Sequence, residues 1–425
     1  MHYRAVGALA LGVVVAASMA GCSNDTGSSG GSGGDSGGGT VTWASVTSDK
    51  AGVEAVAKAF EEKTGIKVTT TVSDVDNYQT TLRTQLSSGT APDVFFVWAG
   101  DGNPMAMQVV SDAKLVADLS DYDFAANVPE GFSKLTQNGG KTYTAPVSSA
   151  GIGSIFNMTA MDANGWTIPE TWSDTLAFCK TAKDAGKVAF AFAGGTPWNT
   201  QLIPYALAPT LVYGPNPDFA AEMSDGEQTF ADSKWVDVFN KFVEMQDAGC
   251  FQENDLGTVY EDALSMVAQG QAMASVQVNA SLSAIAATAP ADTELTLAPL
   301  PATDTASDTR MAAALGAAYG VNVKAKNADG AKQLIDYLTS DEGLSTYNTA
   351  IAGIPALPSS SFKQDPALDT LVQYLADGKT DPFMDQLWPN AKVQQTHFEV
   401  LQQLLAGSTD AKGALSQMDA AYAEG

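Results

Sequence analysis

Apolar strands without a polar face are the feature that most constrains this fold. Pro92–Trp98 (PDVFFVW) is apolar on both faces. Two segments before it, Asp49–Lys63 and Tyr78–Ser87, carry apolar residues at helical spacing. Strands buried on both faces that alternate with amphipathic helices predict an α/β fold, in which helices cover both sides of a parallel sheet.

The alternation continues along the chain. Val188–Ala193 and Ala272–Val278 are predicted strands, and residues 356–425 are mostly helical. A chain of 425 residues with 45% apolar content is long enough for two compact domains.

Two predicted strands lead into a turn that contains a tryptophan. Trp98 is followed by Ala-Gly-Asp101-Gly, and Trp198 lies in a Gly/Pro turn after Val188–Ala193. In open α/β sheets, ligands bind beyond the carboxyl ends of the strands. This position predicts that Trp98 and Asp101 face a ligand.

Charge and cysteine content exclude several kinds of partner. The net charge of −26 comes from 48 acidic and 22 basic residues that are scattered along the chain. Because nucleic acids need a basic surface, we expect no nucleic-acid partner.

Cys179 and Cys250 could form a disulfide in an exported protein, and the sequence leaves this open. The sequence shows neither a C-x-x-C motif nor a Cys/His cluster, so we expect no metal site.

The N-terminus predicts export and anchoring. Arg4 precedes an uncharged stretch that ends in Met-Ala-Gly-Cys22, which resembles a bacterial lipoprotein signal. Residues 1–21 would be the signal peptide, and 22–40 a flexible Gly/Ser linker after a lipidated Cys22. The chain would then sit at the extracellular face of the cell membrane, attached only by its lipid. A plain secretory peptide is the alternative.

Six segments in order resemble the extracellular solute-binding proteins of ABC importers, in particular the carbohydrate-binding, maltose-binding-protein-like group. The resemblance covers residues 41–425. The segments are DKAGVEAVAKAFEEKTGIKV, APDVFFVWAGDG, YTAPVSSAGIGSIFNM, PETWSD, GQAMASV and AYGVNVKAKNADGAKQLIDYLTSDEG.

The resemblance implies a periplasmic-binding-protein-like fold: two α/β lobes, a ligand cleft between them and three hinge crossings. Small residues at the crossings suit hinges. The first lobe would comprise 41–148 plus 320–355, and the second 150–315 plus 359–425. The crossings would lie near Ser148–Gly151, Leu315–Gly320 and Pro355–Ser359.

A pyranose ring suits such a cleft because aromatic rings can cover its C–H face while polar side chains bind its hydroxyls. Trp98 would stack on the sugar, and Asp101 would accept hydrogen bonds from it. Asp49 could instead cap the helix that it precedes. Asn279 and Ala280 stand where the family often has a tryptophan. By resemblance, Ser48, Asp49, Trp198 and Asn199 would also face the ligand. Further candidates, from their places in the chain, are Tyr319 at a crossing, Asn279 after a predicted strand, and Trp388 in a proline-bounded turn before the last helices.

The expected function is the capture of a sugar for an ABC importer, and we expect this sugar to be an oligosaccharide. Lobe closure would bury the sugar and present a monomer to the permease subunits. We expect no enzyme activity, no catalytic residue and no cofactor, since His397 is the one histidine beyond the signal and no nucleophile motif has a suitable context. Two alternatives remain: a binding protein for a polyamine or another small solute, and a secreted glycoside hydrolase, whose paired carboxylates the sequence cannot exclude.

Overall fold

The computed structural model describes residues 39–424. The predicted signal peptide and Cys22 lie outside these residues, as does nearly all of the predicted linker. Within residues 39–424, no helix combines the length and the apolar character that a membrane span requires.

The described residues form three β-sheets surrounded by helices. The strands are β1 (Val41–Val46), β2 (Val68–Ser73), β3 (Val94–Phe96), β4 (Gln137–Asn138), β5 (Lys141–Thr142), β6 (Ala145–Pro146), β7 (Ser148–Asn157), β8 (Val188–Phe190), β9 (Ala272–Val278), β10 (Leu295–Ala298), β11 (Met311–Leu315), β12 (Ala318–Val321), β13 (Ile354–Pro355) and β14 (Thr380–Asp381).

The α-helices are distributed along the whole described chain. They are α1 (Lys50–Thr64), α2 (Val75–Ser88), α3 (Met107–Asp112), α4 (Glu130–Thr136), α5 (Met158–Asn164), α6 (Trp172–Asp184), α7 (Leu202–Ala208), α8 (Phe219–Ser224), α9 (Trp235–Asp247), α10 (Tyr260–Ala268), α11 (Ser281–Thr288), α12 (Ala328–Leu338), α13 (Asp341–Ala350), α14 (Asp369–Ala376), α15 (Ala391–Leu405) and α16 (Ala411–Tyr422).

The first large sheet has the strand order β2-β1-β3-β12-β6. Its strands β2, β1 and β3 are parallel, whereas β12 runs antiparallel to β3 and β6. Trp43 and Phe95 are buried in its core, together with Phe60 of α1. The predicted parallel sheet is therefore right for the first three strands.

The second large sheet has the order β14-β11-β7-β9-β8, and β10 and β13 also pair with β7. The predicted parallel arrangement is wrong around β7, which runs antiparallel to β9, β10, β11 and β13. A strand buried on both faces reads as a continuous apolar run whichever way its neighbours point, so the sequence could not reveal the direction. Trp235 and Trp172 pack in the core beside this sheet, which we call the second core.

The chain passes repeatedly from one large sheet to the other, and this makes the two-lobe α/β fold. Strand β6 of the first sheet leads directly into β7 of the second, and β11 of the second leads into β12 of the first. After α13, which packs on α1 beside the first sheet, β13 pairs with β7 of the second sheet. The exact lobe boundaries given above stay a prediction.

A disulfide joins two parts of the second core. Cys179 in α6 and Cys250 after α9 are both buried, and their sulfur atoms are bonded. The two cysteines are 71 residues apart in sequence. Cross-linking a loop of this length restricts the unfolded chain and so favours the folded state.

We expect the double variant Cys179→Ala/Cys250→Ala to lower the free energy of unfolding by roughly 2–4 kcal/mol, because the unfolded chain regains the entropy of the open loop. Urea unfolding followed by circular dichroism measures the change. Wild-type protein unfolded with a thiol reductant is the matched comparison and should approach the variant. Equal unfolding midpoints for the oxidised wild type and the variant would contradict the expectation.

Candidate functional site

A cleft of about 460 Å³ lies between the two large sheets. It is lined from one side by residues that follow β1 and β3, and from the other by residues around Trp198, α10 and the short helix Met384–Leu387. Its size falls within the range of small-molecule sites, which is roughly 300–1,000 Å³.

Two indole rings line this cleft from opposite sides. Trp98 follows β3, and its half-buried ring lies 4.7 Å from the ring of Phe96 and 5.8 Å from that of Tyr78. Trp198 lies in the short helix Pro197–Gln201, with its ring 5.0 Å from that of Tyr260. The structure thus brings Trp98 and Trp198 to one cavity, each supported by a neighbouring aromatic ring.

The glycine-rich turn after Trp98 touches the opposite side of the cleft. Gly100 has a left-handed φ of 74°, and a Cβ added to it would lie 2.7 Å from the carbonyl oxygen of Gln386. A Cβ at Gly102 would overlap the carbonyl oxygen of Asp385. The turn therefore needs glycine because its backbone packs directly against the backbone of Met384–Leu387.

Asp101 does not line the cleft in the described structure, although it lies in this turn between two glycines that do touch the other side. Its side chain is half-buried, and burial together with the nearby charge of Asp112 raises its pKa. Asp101 therefore lies outside the cleft lining in this arrangement of the turn, whose direction the sequence did not reveal, and its contact with a ligand stays a prediction.

Ser48 and Asp49 line the cleft in front of α1. Asp49 is 6% exposed and accepts hydrogen bonds from the Tyr347 hydroxyl, at 2.6 Å, and from the Ser48 hydroxyl, at 2.9 Å. Burial raises its pKa, and these two hydrogen bonds lower it. Within the described residues its side chain makes no capping hydrogen bond to α1, so the capping alternative does not apply.

Asn279 lines the cleft and also links the crossing segments. Its side-chain oxygen accepts a hydrogen bond from the backbone N–H of Gly151 at 2.8 Å, and its amide group donates to the carbonyl of Ala352 at 2.8 Å. Ala352 has a left-handed φ of 48°, which is rare for a residue with a Cβ. Asn279 therefore ties β7 and β9 to the strained end of α13.

Asn199, Tyr319 and Trp388 also lie outside the cleft lining of the described structure. Asn199 is buried and its amide donates to Gln277 at 2.9 Å. Tyr319 is buried, with its hydroxyl 2.9 Å from those of Ser45 and Tyr347. Other side chains of the protein already bond to the polar groups of Asn199 and Tyr319, and a contact of these two residues with a ligand stays a prediction.

Trp388 is a core residue. Its ring is 3% exposed and lies 5.4 Å from the ring of His397 and 6.0 Å from that of Tyr205. The turn before α15 directs the Trp388 ring into the second core, and the sequence around its proline does not indicate which way the ring points.

His397 is also fully buried, stacked between Tyr205 and Phe239, and burial lowers its pKa to about 3. His397 is therefore neutral at physiological pH.

Sequence reasoning missed most of the polar groups of the cleft. Asp385 is buried there, and burial raises its pKa to about 6, against the opposite effect of the Tyr205 hydroxyl and the Gln394 amide. Within a chain so rich in acids, no local pattern marks one carboxylate as cleft-facing. The missed polar residues are Thr47, Asp74, Asp76, Ser148, Thr196, Gln201, Tyr205, Tyr260, Glu261, Asp385, Gln386 and Gln394.

Negative charge dominates the cleft. Carboxylates line it at Asp49, Asp74, Asp76, Glu261 and Asp385, and no lysine or arginine of residues 39–424 is among its lining residues. Such a surface disfavours an anionic ligand and offers many acceptors to hydroxyl or ammonium groups. In the same part of the chain, no group of three or more His, Cys, Asp or Glu side chains is arranged to hold a metal ion.

Residues 43–344 match the family model described as bacterial extracellular solute-binding protein. The chain belongs to this family. The multiple sugar-binding protein of Streptococcus mutans is 21% identical to this solute-binding protein over 346 residues, which is 80% of each chain. The melibiose/raffinose/stachyose-binding protein MelE of Bacillus subtilis is 26% identical over 155 residues, 35% of this chain and 34% of MelE.

The fold is shared with solved structures. A sugar transporter from Bacillus licheniformis, in complex with stachyose, superposes with a TM-score of 0.73 at 19% identity, covering 91% of this solute-binding protein and 99% of that chain. At this level of identity, the likeness shows the fold alone.

We expect Gly102→Ala to separate the two sides of this solute-binding protein at the Trp98–Gly102 turn, because the added Cβ overlaps backbone that cannot move away like a flexible side chain. Small-angle X-ray scattering should report a larger radius of gyration than for the wild type. Gly140→Ala is the control for local backbone strain, since its positive φ disfavours alanine while the space around its Cβ position is open. The same scattering curve for Gly102→Ala, Gly140→Ala and wild type would contradict a tight contact.

Proposed function

We propose that this protein captures a sugar for an ABC importer by closing two lobes around it. The observation that carries the proposal is the pair of indole rings, Trp98 and Trp198, that face one cleft from opposite sides. Aromatic faces cover the C–H surface of a pyranose, while carboxylates and amides satisfy its hydroxyls. Relatives named for binding raffinose, stachyose and melibiose support an oligosaccharide as the ligand.

In the proposed mechanism the sugar first binds to one lobe, stacked on its indole ring. Closure then brings the second indole and the amides around Gln201 and Gln394 onto the sugar. The buried hydrogen bond between the Asn103 amide and Gln394, at 3.0 Å, already links the two sides beside the turn. The closed monomer would present both lobes to the permease subunits, and ATP hydrolysis would take place on another subunit.

The protein is proposed to bind the sugar without changing it and without a cofactor. The family is one of solute-binding receptors. His397, the histidine of the described chain, is buried, neutral and outside the cleft lining, so it cannot serve there as a general base. The carboxylates of the cleft keep the glycoside hydrolase alternative open to a direct test, which is the appearance of product.

The charge of the cleft favours a second candidate ligand. Five carboxylates without a lysine or arginine among the described lining residues would suit a polyamine or another solute with ammonium groups. The aromatic rings that serve a sugar would also bind a cation over their faces.

Titration calorimetry with raffinose, stachyose, melibiose and spermidine tests the assignment. We expect a sugar to bind, and Trp98→Ala and Trp198→Ala each to weaken its binding by about 1–3 kcal/mol through loss of stacking area. Trp166→Ala is the control, because Trp166 is a half-buried tryptophan that packs on the second core outside the cleft.

If spermidine is the only compound that gives heat of binding, the ligand is a polyamine and not a sugar. Unchanged affinity in both cleft variants would move the site elsewhere. Chromatography of each sugar after long incubation should show no new product, and a shortened sugar would favour the hydrolase.

The protein is also proposed to be anchored at the extracellular face of the membrane through lipid on Cys22. Two acyl chains on one cysteine hold a soluble body at a bilayer, whereas a single chain binds only reversibly. In a bacterial host we expect wild-type protein in the membrane fraction and Cys22→Ser in the soluble fraction or the medium. Ser23→Ala is the control and should stay with the membrane. Wild-type protein recovered free of the membrane would favour a plain secretory peptide.

A further inference from the structure

A chain of buried hydroxyl groups ends at one carboxylate of the cleft. The Tyr347 hydroxyl donates to Asp49 Oδ1 at 2.6 Å. The hydroxyl oxygens of Tyr319 and Tyr347 are 2.9 Å apart, as are those of Ser45 and Tyr319. Ser45 and both tyrosines are completely buried, and among these four residues Asp49 is the one that lines the cleft.

The hydrogen bonds in this series of hydroxyl groups all run in one direction, toward Asp49. An ionised carboxylate can only accept, so the single proton of the Tyr347 hydroxyl is committed to Asp49. The Tyr347 oxygen must then accept from Tyr319, and the Tyr319 oxygen must accept from Ser45. Hydrogen bonds aligned in one direction polarise one another and strengthen the last bond, the one to Asp49.

Other groups around Asp49 supply no opposite charge. Tyr78 of α2 and Tyr260 of α10 interact electrostatically with it, and both are neutral tyrosines in the cores. Lys50, the next residue, is exposed and paired with Glu54 at 2.9 Å. Asp74, Asp76 and Glu261 are the other charged groups on this part of the cleft, and they are negative. Among the side chains around Asp49, the hydroxyl groups of Tyr347 and Ser48 thus supply the hydrogen bonds that favour its ionised form.

We propose that Tyr347, Tyr319 and Ser45 are positioning residues that hold Asp49 ionised and fixed as the hydrogen-bond acceptor for a ligand hydroxyl. Tyr347 occupies Oδ1 and Ser48 occupies Oδ2, and each oxygen keeps a second lone pair for the ligand. Tyr319 lies in β12 of the first sheet, and Tyr347 lies in α13, which packs on α1 beside that sheet. The acceptor therefore stays with that lobe when the lobes move. That Asp49 accepts a hydrogen bond from a ligand rests on the proposed function. That the hydroxyl groups keep Asp49 ionised and in place does not.

Removing the Tyr347 hydroxyl should raise the pKa of Asp49, because that hydrogen bond favours the charged form. Carbon-detected NMR of the aspartate carboxyl groups measures this on ligand-free protein, with the Asp49 signal assigned by its loss in Asp49→Asn. We expect Tyr347→Phe to titrate at higher pH than the wild type, and Ser45→Ala to shift in the same direction by less.

Tyr337→Phe is the matched control. It removes a tyrosine hydroxyl on the same lobe that bonds to Glu342 at 3.3 Å, and it should leave Asp49 unchanged. An Asp49 titration that does not move in Tyr347→Phe overturns the positioning role, whatever the protein binds. If Tyr347→Phe does not fold, the Asp49 titration in Ser45→Ala takes its place, and an unchanged Asp49 pKa in that variant overturns the positioning role.

The ligand role is tested by raffinose binding over a pH series. A ligand hydroxyl donates to the ionised carboxylate, so affinity should fall as pH falls through the Asp49 pKa, and this loss should begin at higher pH in Tyr347→Phe. At neutral pH we expect about three- to tenfold weaker binding by Tyr347→Phe and no change for Tyr337→Phe. In the Asp49→Asn background, Tyr347→Phe should have no further effect.

The effect of the hydroxyl groups on Asp49 and the ligand role of Asp49 can be disproved separately. An Asp49 pKa that rises in Tyr347→Phe with an unchanged pH profile of raffinose affinity overturns the ligand role of Asp49. If raffinose does not bind the wild type, the same series with stachyose and melibiose takes its place. Failure of all three sugars counts against the proposed function, and the NMR titration still decides the hydroxyl chain.

Discussion

The passage of the chain back and forth between two sheets is the constraint on which the rest of this structure depends. Because β6 runs into β7 and β11 runs into β12, the sheets are held side by side and cannot separate into independent domains. The cleft is the space that this connection leaves between them, and Ser148, Leu315 and Gly316 at the passages are part of its lining.

Close backbone contact completes the cleft at one end. The turn after Trp98 lies against Met384–Leu387 with so little space that two glycines are needed. One short segment therefore does two things: it places an indole in the cleft lining and brings the opposite side of the cleft within hydrogen-bond reach. The link between Asn103 and Gln394 follows from that approach.

Two buried polar side chains at the cleft, Asp49 and Asn279, are satisfied by neutral partners. Asp49 is held by tyrosine and serine hydroxyls, and Asn279 binds two backbone groups at the crossings. Buried charge is costly unless hydrogen bonds compensate it. The cleft can thus remain rich in carboxylates without cations among its described lining residues, and this leaves the acceptors available to a ligand.

The sequence by itself determined the α/β class, the family, and the two tryptophans that line the cleft. These depend on local periodicity, on residue type and on motif order, all of which can be read along the chain. Only the tertiary structure decided the antiparallel surroundings of β7, the burial of Trp388 and the partner of Asp49. The Tyr347–Asp49 bond joins residues 298 positions apart, and the Asn103–Gln394 bond joins residues 291 apart. Contacts at such separation leave no periodic trace in the sequence, because they depend on how the lobes pack and which way each side chain turns.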